Sequence, residues 1–134
     1  MQLFRSLTEV PRGFGPSVVA VGKFDGIHLG HRAMIRRLCE LAAERALVPT
    51  VVTFDRHPLT ALRPEAAPPP LVTPAQKAEL LAGAGVDAVL MVEFTTAFAA
   101  LAPEEFVQRY LVDALRARGV LAGADFRFGA KGAG

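Results

Sequence analysis

Apolar residues along this chain gather into short unbroken runs, separated by longer stretches in which they recur every three or four positions. Ser17-Val-Val-Ala-Val-Gly22 is the first run, and its lack of polar alternation marks a strand buried on both faces. Pro49-Thr-Val-Val-Thr-Phe54 predicts a second strand, Val86-Asp-Ala-Val-Leu-Met-Val-Glu-Phe94 a third and Gly119-Val-Leu-Ala-Gly123 a fourth. The intervening periodicity predicts helices. One starts near Gly30 with Met34, Leu38 and Leu41 on one face and Ile35 and Ala42 beside them. Another runs from Pro74 to Ala84, and a third from Pro103 to Arg118, where Phe106, Tyr110 and Ala114 align next to Val107 and Leu111. Glu104 and Glu105 open that third helix as first-turn charge that complements its dipole.

Val- and Leu-rich strands alternating with helices predict an α/β domain: a doubly wound, Rossmann-like parallel sheet covered on both sides by right-handed crossovers. The 134 residues suffice for one such domain. Arg63 to Pro74 interrupts the pattern. Its prolines forbid helix or central strand, so it reads as a stiff surface loop, either a plain connector or a binding loop.

Composition narrows the function. With 15 Lys and Arg against 13 Asp and Glu, the net charge of +2 makes no nucleic-acid surface, so any anion must be held locally. No apolar run approaches the roughly 18 residues of a membrane span, and the first fifteen residues lack a signal peptide's apolar region, so the expectation is a cytoplasmic protein without a membrane partner. Cys39, the single cysteine, falls in a helical apolar pattern and is assigned packing rather than chemistry.

In an open α/β sheet, ligands bind outside the carboxyl ends of the strands where strand order reverses. Three unusual stretches fall at such ends: Gly22-Lys-Phe-Asp-Gly-Ile-His-Leu-Gly-His31, Thr53-Phe-Asp-Arg-His-Pro58 and Gly123 to Gly134. Together they imply one pocket. Gly22 and Gly26 let backbone approach a ligand, and the helix starting near Gly30 offers free N–H groups and the positive end of its dipole. His28 and His31 flank that helix start and can donate to phosphate oxygens, so an anion site for phosphate is predicted. Zinc is the competing reading of His-x-x-His, but His57 and Cys39 are the only other soft ligands. His57 is either a site residue or a structural one, and the same choice applies to Asp55. Asp125, with Phe126, Arg127 and Phe128, could hold the polar edge of a ligand while an aromatic ring packs on its flat face, or the rings could fill the core.

The first of these stretches resembles the signature of the HxGH nucleotidyltransferases, and Phe24-Asp25-Gly26 before His28-Leu29-Gly30-His31 is similar to bacterial FAD synthetases in particular. Thr53 to Pro58, Leu71 to Thr73 with Lys77, Leu80 and Leu81, Gly85 to Asp87, Pro103 to Val107 and Gly123 to Gly129 also resemble, in order, the adenylyltransferase module of bifunctional riboflavin kinase/FAD synthetases. The resemblance covers nearly the whole chain. It implies an HxGH-type fold and adenylyl transfer from ATP to FMN, giving FAD and pyrophosphate with Mg²⁺. By the family's pattern His28 and His31 would hold the ATP phosphates, and Gly22, Lys23, Phe24, Asp25, Gly26 and Gly30 would form the nucleotide-binding turn. Phe54, His57, Asp125, Arg127 and Phe128 would lie near the flavin, with no direct protein ligand assigned to the metal. Lys23 stands where many relatives carry asparagine.

The family's later Ser/Thr/Arg motif and its β-barrel kinase domain have no counterpart in residues 1–134, so a partial adenylyltransferase domain in a truncated chain is expected, and the fragment could be a nucleotide-binding module without turnover. Other HxGH enzymes, acting on pantetheine phosphate, nicotinate mononucleotide or a polyol phosphate, are the enzymatic alternative. The oligomeric state is open.

Overall fold

The structure is a computed structural model that describes residues 1–24, 29–56, 63–66 and 73–122, with only the backbone described at 29–31 and 64. Its strands are β1 (Gln2–Phe4), β2 (Ser17–Val21), β3 (Val48–Phe54), β4 (Ala88–Val92) and β5 (Ala117–Ala122). Its helices are α1 (Leu29–Arg45), α2 (Pro74–Gly83), the short α3 (Thr96–Ala99) and α4 (Pro103–Phe106), which runs on into a π-helical stretch, Val107–Ala114. All pairings are parallel and the strand order is β1-β4-β3-β2-β5, so the doubly wound α/β expectation holds.

Alternation along each strand builds two cores. Val18, Ala20, Val51, Val89 and Met91 face α1 and α2, where Ile35, Leu38, Ala42, Ala78 and Leu81 complete the packing. Val19, Val21, Val52, Leu90 and Val92 face the other way, against Phe106, Leu111 and Leu115. Connections through α1 and α2 step from β2 to β3 to β4 on one face. The next connection doubles back over the opposite face to place β5 on the far side of β2. Strand order therefore reverses at β2, and the carboxyl ends of β2 and β5 flank the crevice where such sheets bind ligands.

Several elements depart from the expectations: the short α3 was not foreseen, and Pro64–Ala66 forms one 3₁₀ turn, which needs too few residues for the prolines around it to forbid, inside a stretch expected to hold no helix. β1 was not foreseen, because three residues carry no readable period; it pairs with β4 and brings Phe4 edge-to-face with Phe14 at 5.5 Å. The third helix stops at Ala114 rather than Arg118, and β5 begins at Ala117, two residues before the expected Gly119. The wide turn is the physical reason: it spaces the buried residues Phe106 and Leu111 five apart and leaves Val107, expected on the apolar face, 37% exposed. Arg116 then takes a left-handed φ of 51° that ends the helix, while the buried Ser17 hydroxyl donates to Leu115 O at 2.6 Å and ties the helix end to β2.

Cys39 is half-buried against the α1/α2 core, with its thiol directed at Gly85 O at 3.6 Å. Burial, and secondarily the negative charge of Asp87, push its pKa up. The neutral thiol is thereby favoured in the fold. A disulfide reagent at pH 8 is expected to react with folded Cys39 more slowly than with free cysteine, and at the free rate once urea unfolds the chain. Leu38, fully buried beneath the sheet, should cost about 2–5 kcal/mol on truncation to alanine, read as a lowered urea midpoint.

Candidate active site

Five parallel strands deliver their carboxyl ends to one edge of the sheet, and the described residues there are held by a compact hydrogen-bond system. The Gly22 N–H still donates to Val52 O at 3.1 Å, the last rung before the chain leaves β2. Beyond it, Lys23 O accepts from the Thr53 hydroxyl at 2.8 Å and from Lys77 Nζ at 2.8 Å. The same ammonium donates to Phe54 O at 2.8 Å. Lys77 is 6% exposed and Thr53 is fully buried, so both donors act out of water, where charge-assisted bonds are strongest. One side chain of α2 thus joins the loop after β2 to the end of β3.

Lys77 reaches this position because of how α2 begins. Thr73 and Gln76 form a reciprocal capping box, with Gln76 N donating to Thr73 Oγ1 at 3.1 Å and Thr73 N donating to Gln76 Oε1 at 2.8 Å, and Pro74 sets the first turn. That start puts Lys77, Ala78 and Leu81 on the buried face. The sequence reading missed the part Lys77 plays, although a lysine four residues before Leu81 on an apolar stripe was a visible signal.

Phe24 is the strained member of the loop. Its φ is 48° and its ring is fully buried in the core beneath α1. A non-glycine residue in that region costs about 1–3 kcal/mol, and here ring burial and the bonds on Lys23 O offset it. Gly22 has a different reason from the expected one. A Cβ there would lie 2.9 Å from Phe24 Cε2, so the space left by the missing side chain is filled by this ring, not kept open for a ligand. Lys23 directs its side chain to solvent and contributes its carbonyl to the clamp.

At the end of β3, Phe54 was expected near a flavin. Its ring is 1% exposed, edge-to-face with Phe94 at 5.3 Å and tilted on Phe98 at 5.8 Å, in an aromatic row that continues to Phe106 and Tyr110. It supports the edge from below. Asp55 resolves as a structural clasp: its N–H donates to Val92 O at 3.0 Å and its Oδ1 accepts from Phe94 N at 3.1 Å, fastening β3 to β4. The guanidinium of Arg56 closes on the same carboxylate through bonds of 3.1 and 3.0 Å.

Gly30 and His31 belong to the first turn of α1, the helix that follows the loop from β2. Asp25, Gly26, His28, His57, Asp125, Arg127 and Phe128 lie outside the described residues. A groove of about 1050 Å³ runs between α1 and α2, but among the described residues its walls are helical, Arg32, Arg36, Cys39, Gln76 and Leu80 among them, and none comes from a strand end. The strand-end edge is the better site.

An open parallel sheet, a loop tied by a buried ammonium and a helix beginning beside the strand-order reversal define a doubly wound α/β class of domain. The FAD synthetase family model matches residues 11–134, and the chain belongs to that family. It is 44% identical over 118 residues to the bifunctional riboflavin kinase/FMN adenylyltransferase of Listeria monocytogenes, covering 87% of this chain and 37% of that protein. The proteins of the same name from Pseudomonas fluorescens and Escherichia coli K12 are 40% and 42% identical, covering 96% and 84% of this chain but 41% and 36% of theirs. The chain thus spans about two-fifths of the length of these relatives. A crystal structure described as a macrolide-efflux protein from Streptococcus pneumoniae superposes with a TM-score of 0.80 at 32% identity, covering 96% of this chain and 43% of that one. Among the described residues of the present chain, no helix is long and apolar enough to cross a membrane.

The packing of Phe24 over Gly22 gives a direct check on the loop. Gly22→Ala is expected to destabilise the chain by about 1–3 kcal/mol, seen as a lower urea midpoint, because the buried ring has no room to retreat.

Proposed function

We propose that the chain is the adenylyl-transferring part of an FAD synthetase, moving AMP from ATP to FMN in the cytoplasm to give FAD and pyrophosphate. The observation that carries this reading is where the HxGH stretch falls: it runs from the connection after β2 into the first turn of α1, at the reversal of strand order. A helix N-terminus there presents unpaired N–H groups and positive potential to a nucleotide's phosphates. The family match over residues 11–134 and the names of the relatives support the choice of ATP and FMN.

In the proposed reaction, a phosphate oxygen of FMN forms a bond to the α-phosphorus of ATP while the bond from that phosphorus to the leaving pyrophosphate breaks. No covalent enzyme intermediate is needed, so positioning and charge stabilisation supply the rate. His28 and His31 donate to phosphate oxygens as negative charge develops, and the turn from Lys23 to Gly26 packs on the nucleotide. His57, Asp125, Arg127 and Phe128 are assigned to the flavin side. Mg²⁺ would accompany the nucleotide, since a hard cation takes oxygen ligands such as those of phosphates. When bound, it neutralises phosphate charge.

Incubating the full-length protein with ATP, Mg²⁺ and FMN should yield FAD by chromatography, whereas phosphopantetheine, nicotinate mononucleotide and a polyol phosphate should not be adenylylated. His28→Ala and His31→Ala should each lower kcat by about a hundredfold or more with the fold intact. Unchanged FAD formation in both variants would remove the histidines from the mechanism.

A further inference from the structure

We infer that Lys77 is a positioning residue that sets the nucleotide loop and the flavin-side strand end in register with each other. The inference rests on the adenylyl-transfer reading above. Its structural basis is the bridge: one ammonium, 6% exposed, 2.8 Å from Lys23 O and 2.8 Å from Phe54 O. Lys23 precedes the strained Phe24 and the stretch that leads to His28 and His31. Phe54 precedes Asp55, Arg56 and His57. The two segments that carry the proposed donors for ATP and the proposed contacts for FMN are therefore fixed to the same atom.

Transfer requires the FMN phosphate and the ATP α-phosphorus to meet in line, and an error of about 1 Å between two otherwise intact binding loops can cost on the order of a hundredfold in rate. Hydrogen bonds within either loop cannot set that relative position, but a bridge between them does. Thr53, on β3 itself, makes a second tie from that strand to Lys23 O through its neutral hydroxyl. Loss of Thr53 Oγ1 leaves the Lys77 bridge in place, whereas loss of Lys77 Nζ removes a charged donor from Lys23 O and from Phe54 O together.

The test uses the full-length protein and compares Lys77→Met with Thr53→Val. Lys77→Met should still melt cooperatively, raise KM for both ATP and FMN and lower kcat by about ten- to a hundredfold at temperatures well below its Tm. Thr53→Val, which keeps the Lys77 bridge, should change both KM values and kcat less than Lys77→Met does. A readout independent of turnover is amide hydrogen exchange without substrates: Lys77→Met should accelerate exchange at both Gly22 and Asp55, whose N–H groups make the ladder bonds to Val52 O and Val92 O. If Lys77→Met does not melt cooperatively, Lys77→Gln decides on the same measurements. Both KM values and kcat within twofold of wild type, or a change in one KM only, would overturn the inference. If the wild-type protein makes no FAD, the adenylyl-transfer reading falls by itself, and exchange that quickens at only one of the two amides then refutes the bridge.

Discussion

A buried ammonium between two backbone carbonyls is the constraint on which the working edge of this domain depends. A parallel sheet is stabilised along its length by ladder bonds and by side chains packed on both faces, but at its carboxyl edge the strands diverge into loops and the ladder runs out. The carbonyls of Lys23, partly buried, and of Phe54, buried, lie at that point, where donors must come from side chains rather than the ladder. Lys77 donates to both, Thr53 adds a second donor to Lys23 O, and Asp55 does the corresponding work between β3 and β4 through Phe94 N. Hydrogen bonds to a charged group contribute about 1.5–3 kcal/mol each, more than neutral ones, which offsets part of the cost of burying the charge.

The two faces of the sheet divide their tasks. The face under α1 and α2 is aliphatic apart from Phe24 and Met91, and it anchors the two helices whose first turns lie at the working edge. The opposite face carries an aromatic row from Phe54 to Tyr110, with successive ring centroids 5.3 to 5.8 Å apart. Three of these contacts are edge-to-face and the last, Phe106 on Tyr110, is stacked, and rings so packed in a dense core resist displacement. Phe54 therefore presents a fixed carbonyl to Lys77, while burial, with a smaller opposing effect from Arg109, raises the Tyr110 pKa at the row's far end.

What was legible in the sequence follows from the range of each signal. Buried strands β2, β3 and β4 and helices α1 and α2 announce themselves through local period, so their existence and order along the chain could be read directly; in α1 Leu38 is buried as expected, while Ile35 and Ala42, placed beside the face, are its buried centre and Met34 and Leu41 are partly buried at its rim. Three-residue β1 has no period, and its strand character comes entirely from pairing with β4. The π-helical stretch defeats a reading that assumes the α-helical repeat, which is why Val107 was placed inside and the helix extended over Arg116. At the site, the sequence located the edge and the loop. It could not show that Gly22 serves Phe24, that the Phe54 ring faces the core or that Lys77 spans two segments 31 residues apart, because these are tertiary contacts between residues with ordinary local propensities.

Backbone strain separates the functional edge from ordinary punctuation. Among the described non-glycine residues, three have positive φ: Phe24, Ala46 and Arg116. Ala46 follows the last residue of α1, and Arg116 follows the end of the π-helical stretch, so both are left-handed residues that close a helix and satisfy its terminal carbonyls. Phe24 closes nothing. It stands between a strand and a helix, carries a bulky ring that prefers other backbone regions, and sits beside a glycine that has to be a glycine to admit that ring. Such an arrangement persists only where the surroundings over-determine it, and here they do so three times: two donors on Lys23 O, full burial of the ring and the Gly22 rung to β3. A chain that needed only to pass from β2 to α1 could do so without this strain. What the strain accompanies is one particular loop shape, held at the reversal of strand order by contacts from both neighbouring elements.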